Sequence, residues 1–285
     1  MPFRASLALL VLAAALVLPA PAQGMGKPSV AALQVTLRAH GLYGGTIDGI
    51  RGTATRRAVL HFQRRAGLTA DGIVGPRTRR ALGRFARHRV GSRPLRRGMA
   101  GWDVAALQFL LAWHGFPSGA MDGHLGPRTA RALLRYQGWR GLGRDGVAGP
   151  VTLRALRSSP PRSPIRLARP MRRRVGDSFG PRGNRFHTGI DFPAPYGVAV
   201  RAARGGRVTF AGWDSGGYGY LVVVRHAYGV RTFYAHLSRI SVGVGRHVRR
   251  GARVGRVGSS GHATGPHLHF EVRLHGAAVN PFTAL

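Results

Sequence analysis

The sequence predicts a multidomain chain: two small helical bundles in tandem, followed by a mostly antiparallel β domain. Three observations carry this. Residues 28–83 and 101–156 repeat one another at a constant offset, and apolar residues recur in each copy at helical spacing. From about Asp177 the texture changes to short apolar runs separated by glycines. Near the C-terminal end, Leu268, Phe270 and Val272 alternate with His267, His269 and Glu271, the period of a half-buried strand.

The repeat is unambiguous. Gln34, Asp48, Gly52, Thr55, Gln63, Asp71, Gly75 and Thr78 recur as Gln108, Asp122, Gly126, Thr129, Gln137, Asp145, Gly149 and Thr152, each 74 residues further on. Within each copy the pattern D-G-x-x-G-x-x-T occurs twice, its aspartates 23 residues apart. Ser29, after Pro28, is expected to cap a first helix whose apolar face is Val30, Leu33 and Leu37 and which ends near Gly41. Asp103 is expected to begin the matching helix, with Val104, Leu107 and Leu111 inward and Gly115 at its end. Each Asp-Gly makes a turn, and in three of the four copies Gly-Pro follows, the proline opening the next helix. Ala58, Phe62 and Ala66 line a second helix in copy one, and Leu133 and Tyr136 its counterpart. A calcium loop needs several carboxylates where each of these turns offers one. Gln34 and Gln108 read as buried, hydrogen-bonded amides.

Leu-Gln on a first helix, D-G-x-x-G-x-x-T, Phe-Gln or Tyr-Gln on a second, then another D-G-x-x-G-x-x-T resembles the peptidoglycan-binding type 1 domain. The resemblance covers residues 28–83 and again 101–156. It implies three-helix bundles that anchor their host to bacterial cell wall, with peptidoglycan as partner.

Residues 157–177 read as a Pro/Arg-rich linker. Ser158-Ser159-Pro160-Pro161-Arg162-Ser163-Pro164 removes backbone donors and favours extended conformers. Arg172-Arg173-Arg174 adds a charge run, read first as a solvated stretch and second as a surface for an anionic polymer.

Composition narrows the chemistry. Lys+Arg is 44 against nine Asp+Glu, a formal charge of +35 over 285 residues, which suits a polyanionic partner such as an anionic wall polymer. No cysteine is present, which removes disulfides and thiolate metal sites, so any metal must be held by His and carboxylate. At the other end, Arg4, the apolar residues 5–18 and Ala20-Pro21-Ala22 read as a secretory signal, residues 1–22, cleaved before Gln23. The apolar stretch is short for a membrane span and no later segment is long enough. The expected location is outside the cytoplasm, at the cell wall, or in the periplasm where an outer membrane exists; a nucleic-acid partner is not expected.

The β domain, residues 178–285, is read from the runs at Arg207-Val208-Thr209-Phe210-Ala211, 221–224, 230–234, 254–257 and 267–272. The second and third flank His226-Ala227-Tyr228-Gly229 as a hairpin. Eight of the thirteen histidines lie from His187 onward. His187-Thr188-Gly189-Ile190-Asp191 sets a His and an Asp four apart in a strand or loop, where a local bend lets them converge. On the last strand His267, His269 and Glu271 share a face. A third ligand from His267 or His269 completes a His/His/Asp site with a position open to water, the arrangement of a catalytic zinc. Such a metal polarises a scissile carbonyl and brings its water to a pKa of about 7. Nitrogen and oxygen donors favour zinc among divalent metals. Tyr234-Ala235-His236-Leu237 supplies a further imidazole, and spacing alone leaves open which histidines ligate and which move protons.

Phe186-His187-Thr188-Gly189-Ile190-Asp191-Phe192, Tyr234-Ala235-His236-Leu237-Ser238, Thr264-Gly265-Pro266-His267-Leu268-His269-Phe270-Glu271 and Val279-Asn280-Pro281 resemble the lysostaphin/LytM-type zinc endopeptidases, in the family's order. The resemblance implies one zinc held by His187, Asp191 and His269, with His236 and His267 as the catalytic pair. It implies cleavage of peptide bonds in peptidoglycan cross-links or stem peptides. Glu271 is a candidate support for a ligand imidazole, and Arg182 and Asn184 are candidates for substrate carboxylates or amides. His226, His247, His262 and His275 read as structural or surface residues. The alternative is a catalytically inactive wall-binding regulator of other murein hydrolases; such relatives lose ligands or catalytic histidines, whereas all five positions are filled here.

Overall fold

The computed structural model describes residues 24–285, so the signal reading of residues 1–22 lies outside the described residues. Each repeat folds as three helices: α1 (Pro28–Ala39), α2 (Thr53–Arg65) and α3 (Pro76–Ala81), then α4 (Trp102–Trp113), α5 (Pro127–Trp139) and α6 (Pro150–Leu156). Pro28, Pro76, Pro127 and Pro150 each open a helix, where a missing N–H costs nothing. Three expectations are corrected. Lys27, not Ser29, is the cap residue of α1, because Pro28 fixes the first helical turn one position earlier. Asp103 is the second residue of α4, where its buried carboxylate pairs with Arg93 at 2.7 Å and caps nothing from outside the helix. Ala66 likewise falls just past α2 and is exposed.

One device explains the repeated motif. Gln34 Nε2 donates to Asp48 Oδ1 (2.7 Å) and Thr55 Oγ1 (3.1 Å), and the Gly49 N–H donates back to Gln34 Oε1 (2.9 Å). Gln63 does the same with Asp71, Thr78 and Gly72. Gln108 joins Asp122, Thr129 and Gly123, and Gln137 joins Asp145, Thr152 and Gly146. Each buried amide thus ties a turn to two helices with its donors and acceptor filled, which is why this residue set recurs at fixed spacing.

The first helices of the two repeats, α1 and α4, pack side by side, and the Trp102 indole donates to Ser29 O across the pair (3.0 Å). The sequence pattern allots α4 one apolar face, but all twelve of its residues are buried. Ala105, Ala106, Phe109 and Trp113 join a core continuous with the β domain, while Val104, Leu107, Leu110 and Leu111 face the core of repeat two. A helix apolar all round is a helix covered all round.

The β domain begins with a small hairpin, β1 (Gly180–Arg182) and β2 (Arg185–His187). It continues as β3 (Ile190–Pro193), β4 (Ala199–Arg201), β5 (Gly206–Asp214), β6 (Gly219–Arg225), β7 (Val230–Ile240), β8 (His247–Val248), β9 (Arg253–Val257), β10 (His267–Leu274) and β11 (Ala277–Val279). The main sheet runs β11-β10-β7-β6-β5-β8, with β3 on β10 and β9 joining β7 to β4, and every pairing is antiparallel. Leu268, Phe270 and Val272 enter the core with Ile190, Phe192, Val222 and Tyr234, which turns the alternate residues of β10 to the opposite face. Residues 157–177 have no helix or strand, yet Ile165, Leu167 and Met171 are buried in the same core, and Leu167 N–H donates to Ala284 O (2.8 Å).

Candidate metal centre

The opposite face of β10 is where the site forms. His269 and Asp191 are paired across β10 and β3, and His187 ends β2, with two residues between it and the start of β3. Gly189 makes the approach possible: a Cβ there would lie 2.4 Å from Phe270 O and 2.9 Å from the His269 ring. The ligand atoms of His187, Asp191 and His269 converge, all within 4.8 Å of one another, and all three residues are buried.

Hydrogen bonds fix the state of each ring. His187 Nδ1 lies 2.8 Å from Ser178 O, and a carbonyl can only accept, so Nδ1 carries the proton and Nε2 offers a lone pair. His269 Nε2 lies 3.1 Å from Glu271 Oε1 and donates to that carboxylate, which turns Nδ1 toward Asp191 and leaves it the nitrogen available to a cation. Those two nitrogens, His187 Nε2 and His269 Nδ1, are 3.0 Å apart and face Asp191 Oδ1 at 3.1 and 2.7 Å. Three such atoms so close need positive charge between them: a proton on His269 Nδ1 when no metal is bound, a cation when one is. Two imidazoles and a carboxylate suit a borderline divalent ion. The field agrees. Burial lowers the His269 pKa, but the hydrogen bonds to Asp191 and Glu271 overcome it and raise it to about 9, so without a metal the ring carries a proton on Nδ1 that a bound cation would displace. Burial opposes ionisation of Asp191, and His187 and His269 nonetheless pull it well below the usual carboxylate range. Arg182 occupies its other oxygen (2.9 Å) and also pairs with Asp177 at 2.9 Å.

The site lies in a cleft of about 720 Å³ that His236, His267, Tyr218 and His262 also line. His236 Nδ1–H donates to Ser260 O and His267 Nδ1–H to Gly265 O, both at 2.8 Å, so each ring keeps Nε2 free; the two rings are 4.8 Å apart. Burial first, then the neighbouring histidines, lowers the His236 pKa to about 4. Its backbone sits at φ 59, a left-handed conformation that costs a non-glycine residue about 1 kcal/mol and arises where β7 bulges between its partners.

Beneath the centre lies a polar cluster. Fully buried Glu271 accepts from Thr188 (2.5 Å), Tyr218 (2.7 Å), His269 (3.1 Å) and Arg273 (2.7 Å), and Arg273 also donates to the Tyr218 hydroxyl (2.7 Å). Desolvation would raise the Glu271 pKa, but Arg273 and His269 keep it far below the ordinary value, so it is a carboxylate. Among the expected site residues, His187, Asp191, His269, His236 and His267 are brought together. Arg182 is occupied by two aspartates, and Asn184 lies at the hairpin tip, its carbonyl accepting from Met121 N–H. His226 is buried between Gly205 O and Thr232; His247 and His275 are exposed. Sequence reasoning missed Tyr218 and Arg273; for Arg273 the signal was the alternation of β10 continuing two residues past Glu271.

A β domain with converging His, Asp and His donors in an open cleft is that of a metallopeptidase. Residues 185–281 match Peptidase family M23, and residues 26–82 and 101–156 match the putative peptidoglycan binding domain. The chain therefore carries an M23 metallopeptidase domain behind two peptidoglycan-binding domains. The DD-carboxypeptidase/endopeptidase Mpg of Neisseria meningitidis serogroup B is 51% identical over 114 residues, which cover 38% of this chain and 26% of the relative. The peptidoglycan DD-endopeptidase ShyC of Vibrio cholerae is 37% identical over 118 residues, 39% of this chain and 27% of the relative. The catalytic domain of lysostaphin from Staphylococcus simulans is 33% identical, with a TM-score of 0.36 over 39% of this chain and 90% of that one. The chain spans about a quarter of the length of the curated relatives it matches. No helix among the described residues is long and apolar enough to cross a membrane.

Proposed function

We propose that the chain is a secreted, zinc-dependent endopeptidase that hydrolyses peptide bonds in peptidoglycan cross-links or stem peptides, held to the wall by its two repeats. The convergence of three ligand atoms from His187, Asp191 and His269 in an open cleft carries this reading. These residues would hold one zinc ion through His187 Nε2, Asp191 Oδ1 and His269 Nδ1. When bound, the ion supplies Lewis acidity toward the scissile carbonyl and the attacking water.

The chain's own groups do the rest. His236 and His267 present Nε2 lone pairs to the cleft, and burial keeps His236 neutral near pH 7, ready to take the proton of the attacking water. A ring that has accepted that proton becomes a hydrogen-bond donor to the oxygen on which charge develops, and later returns the proton to the leaving amine. Arg182 keeps the second oxygen of Asp191 from turning away. Arginine-lined grooves support contact with anionic wall polymers, at Arg79, Arg80, Arg84, Arg87 and Arg89 where repeat one runs into the segment after it, and at Arg128, Arg131, Arg135 and Arg144 in repeat two.

The test is solubilisation of isolated sacculi. The purified chain should clear a sacculus suspension in the presence of zinc, and His269→Ala should bind the sacculi without clearing them. Binding without clearing by the unaltered protein would contradict an enzymatic role and favour the regulator.

A further inference from the structure

The metal centre is physically tied to the repeats through the β1–β2 hairpin. Gly180 pairs with His187 and Pro181 with Phe186, which leaves Gly183 and Asn184 as the tip. Ile47 N–H of repeat one donates to Gly183 O (2.8 Å), and Met121 N–H of repeat two donates to Asn184 O (2.7 Å). Ile47 and Met121 are equivalent positions, 74 residues apart, so the paired repeats grip consecutive carbonyls of the tip with the same backbone group.

Trp113 then fills the space beneath. Its ring meets Phe186 edge-on at 5.4 Å and Phe179 at 6.3 Å, and those two rings meet each other at 5.0 Å. Phe186 precedes His187. Phe179 follows Ser178, whose carbonyl fixes the His187 tautomer. Both neighbours of Trp113 are thus one residue from a group that sets His187. Beside it, Ala278 N–H donates to Gly115 O (3.2 Å), and a Cβ on Gly115 would lie 2.3 Å from Ala278 O, so α4 seats directly on β11. The Trp139 indole donates to Leu274 O (3.1 Å) at the same seam. Repeat one has Ala39 and Arg65 at the positions of Trp113 and Trp139, so the large apolar groups belong to this contact and not to the repeat as such.

We propose that the paired repeats are a positioning device for the metal centre, with Trp113 as the residue that holds the His187 hairpin in its ligating geometry. The inference rests on the reading of His187 as a metal ligand. It makes the wall-binding module part of the site and not a detachable tether.

The test uses the full chain and its Trp113→Ala, Trp113→Phe and Leu133→Ala forms. Leu133 is fully buried in repeat two, in a core cluster that holds none of the hairpin residues, and serves as the stability control. Zinc affinity is measured by chelator competition, hydrogen exchange over residues 180–187 by mass spectrometry, and kcat and KM on soluble cross-linked peptidoglycan fragments. Trp113→Ala should weaken zinc binding by about tenfold, the lower end of what losing an outer support of a ligand costs, lower kcat with little change in KM, and speed exchange in the hairpin. Trp113→Phe should restore all three, since among the described residues the indole N–H has no acceptor and only ring packing is needed. Leu133→Ala should lower the melting temperature and leave zinc affinity alone. Zinc affinity within twofold of the unaltered protein in Trp113→Ala, or an equal loss in Leu133→Ala, would overturn the proposal. Should Trp113→Ala fail to fold, the same comparison is made with Trp113→Leu. If the unaltered chain cleaves nothing while Trp113→Ala still loses zinc, the enzymatic reading falls and this one stands.

Discussion

Asp191 and His269 are direct cross-strand partners, and Asp191 Oδ1 lies 2.7 Å from His269 Nδ1. The register that pairs them also buries Ile190, Phe192, Leu268 and Phe270, so the apolar pattern of two strands sets the geometry of the polar face. A slip of one residue would send the ligands into the core. Asp191→Asn keeps the shape and removes the charge; it is expected to fold normally and to bind zinc at least 100-fold more weakly, by chelator competition. Unchanged affinity would remove Asp191 from the ligand set.

Glu271 orients His269 from behind while holding Thr188, Tyr218 and Arg273. Glu271→Gln keeps an acceptor but discards the charge that pairs with Arg273. Zinc affinity should fall by about 10-fold to 100-fold, as for other outer partners of ligand imidazoles. The melting temperature should also drop, because a buried guanidinium loses its counter-charge. A variant with full zinc affinity would show that Glu271 is only structural.

His236 carries its ring on a left-handed backbone. Asparagine tolerates that conformation better than alanine does. His236→Asn is therefore expected to match the unaltered protein in thermal stability and zinc content, while turnover falls by about 10²-fold to 10⁴-fold for lack of a proton acceptor. His236→Ala should lose the same activity and melt lower. Equal activity in His236→Asn would exclude the ring from proton transfer.

Burial holds His114 and His226 below the ordinary imidazole value. Below about pH 6.5 the unfolded chain protonates both while the folded chain does not, so stability falls as pH drops through that window. Above about pH 7 neither group contributes a slope. His114→Gln keeps a donor for Leu156 O, which His114 Nε2 now meets at 3.0 Å, and removes the titration. Melting curves from pH 8 to 5 should show a shallower acid decline for His114→Gln than for the unaltered protein. Parallel declines would mean that His114 is not buried as a neutral ring.

Much of this was legible in the chain because each part was local. The Gln, Asp, Gly and Thr of each repeat must sit at fixed separations to close one hydrogen-bonded unit, so the spacing survives in the sequence. The alternation on β10 exposes the site for the same reason. What lay hidden depends on distant pairing. Nothing near His236 signals φ 59, which follows from how β7 meets β6 and β9. Tyr218 sits among glycines with no periodic partner. The contact between repeats and β domain left a trace, since Trp-Asp-Val-Ala-Ala-Leu-Gln-Phe-Leu-Leu-Ala-Trp at residues 102–113 is apolar round the helix but for Asp103 and Gln108. Ile165, Leu167 and Met171 similarly mark an Arg-rich stretch as one that lies on the core.

The most direct test of the central claim is digestion of purified, deproteinised peptidoglycan by the full chain with and without a zinc chelator, with freed amino termini identified by mass spectrometry. New termini that vanish with chelator and return on adding zinc are the expected result, and their identity names the bond. Sacculi that are bound but uncut, with zinc at full occupancy, would contradict the endopeptidase account.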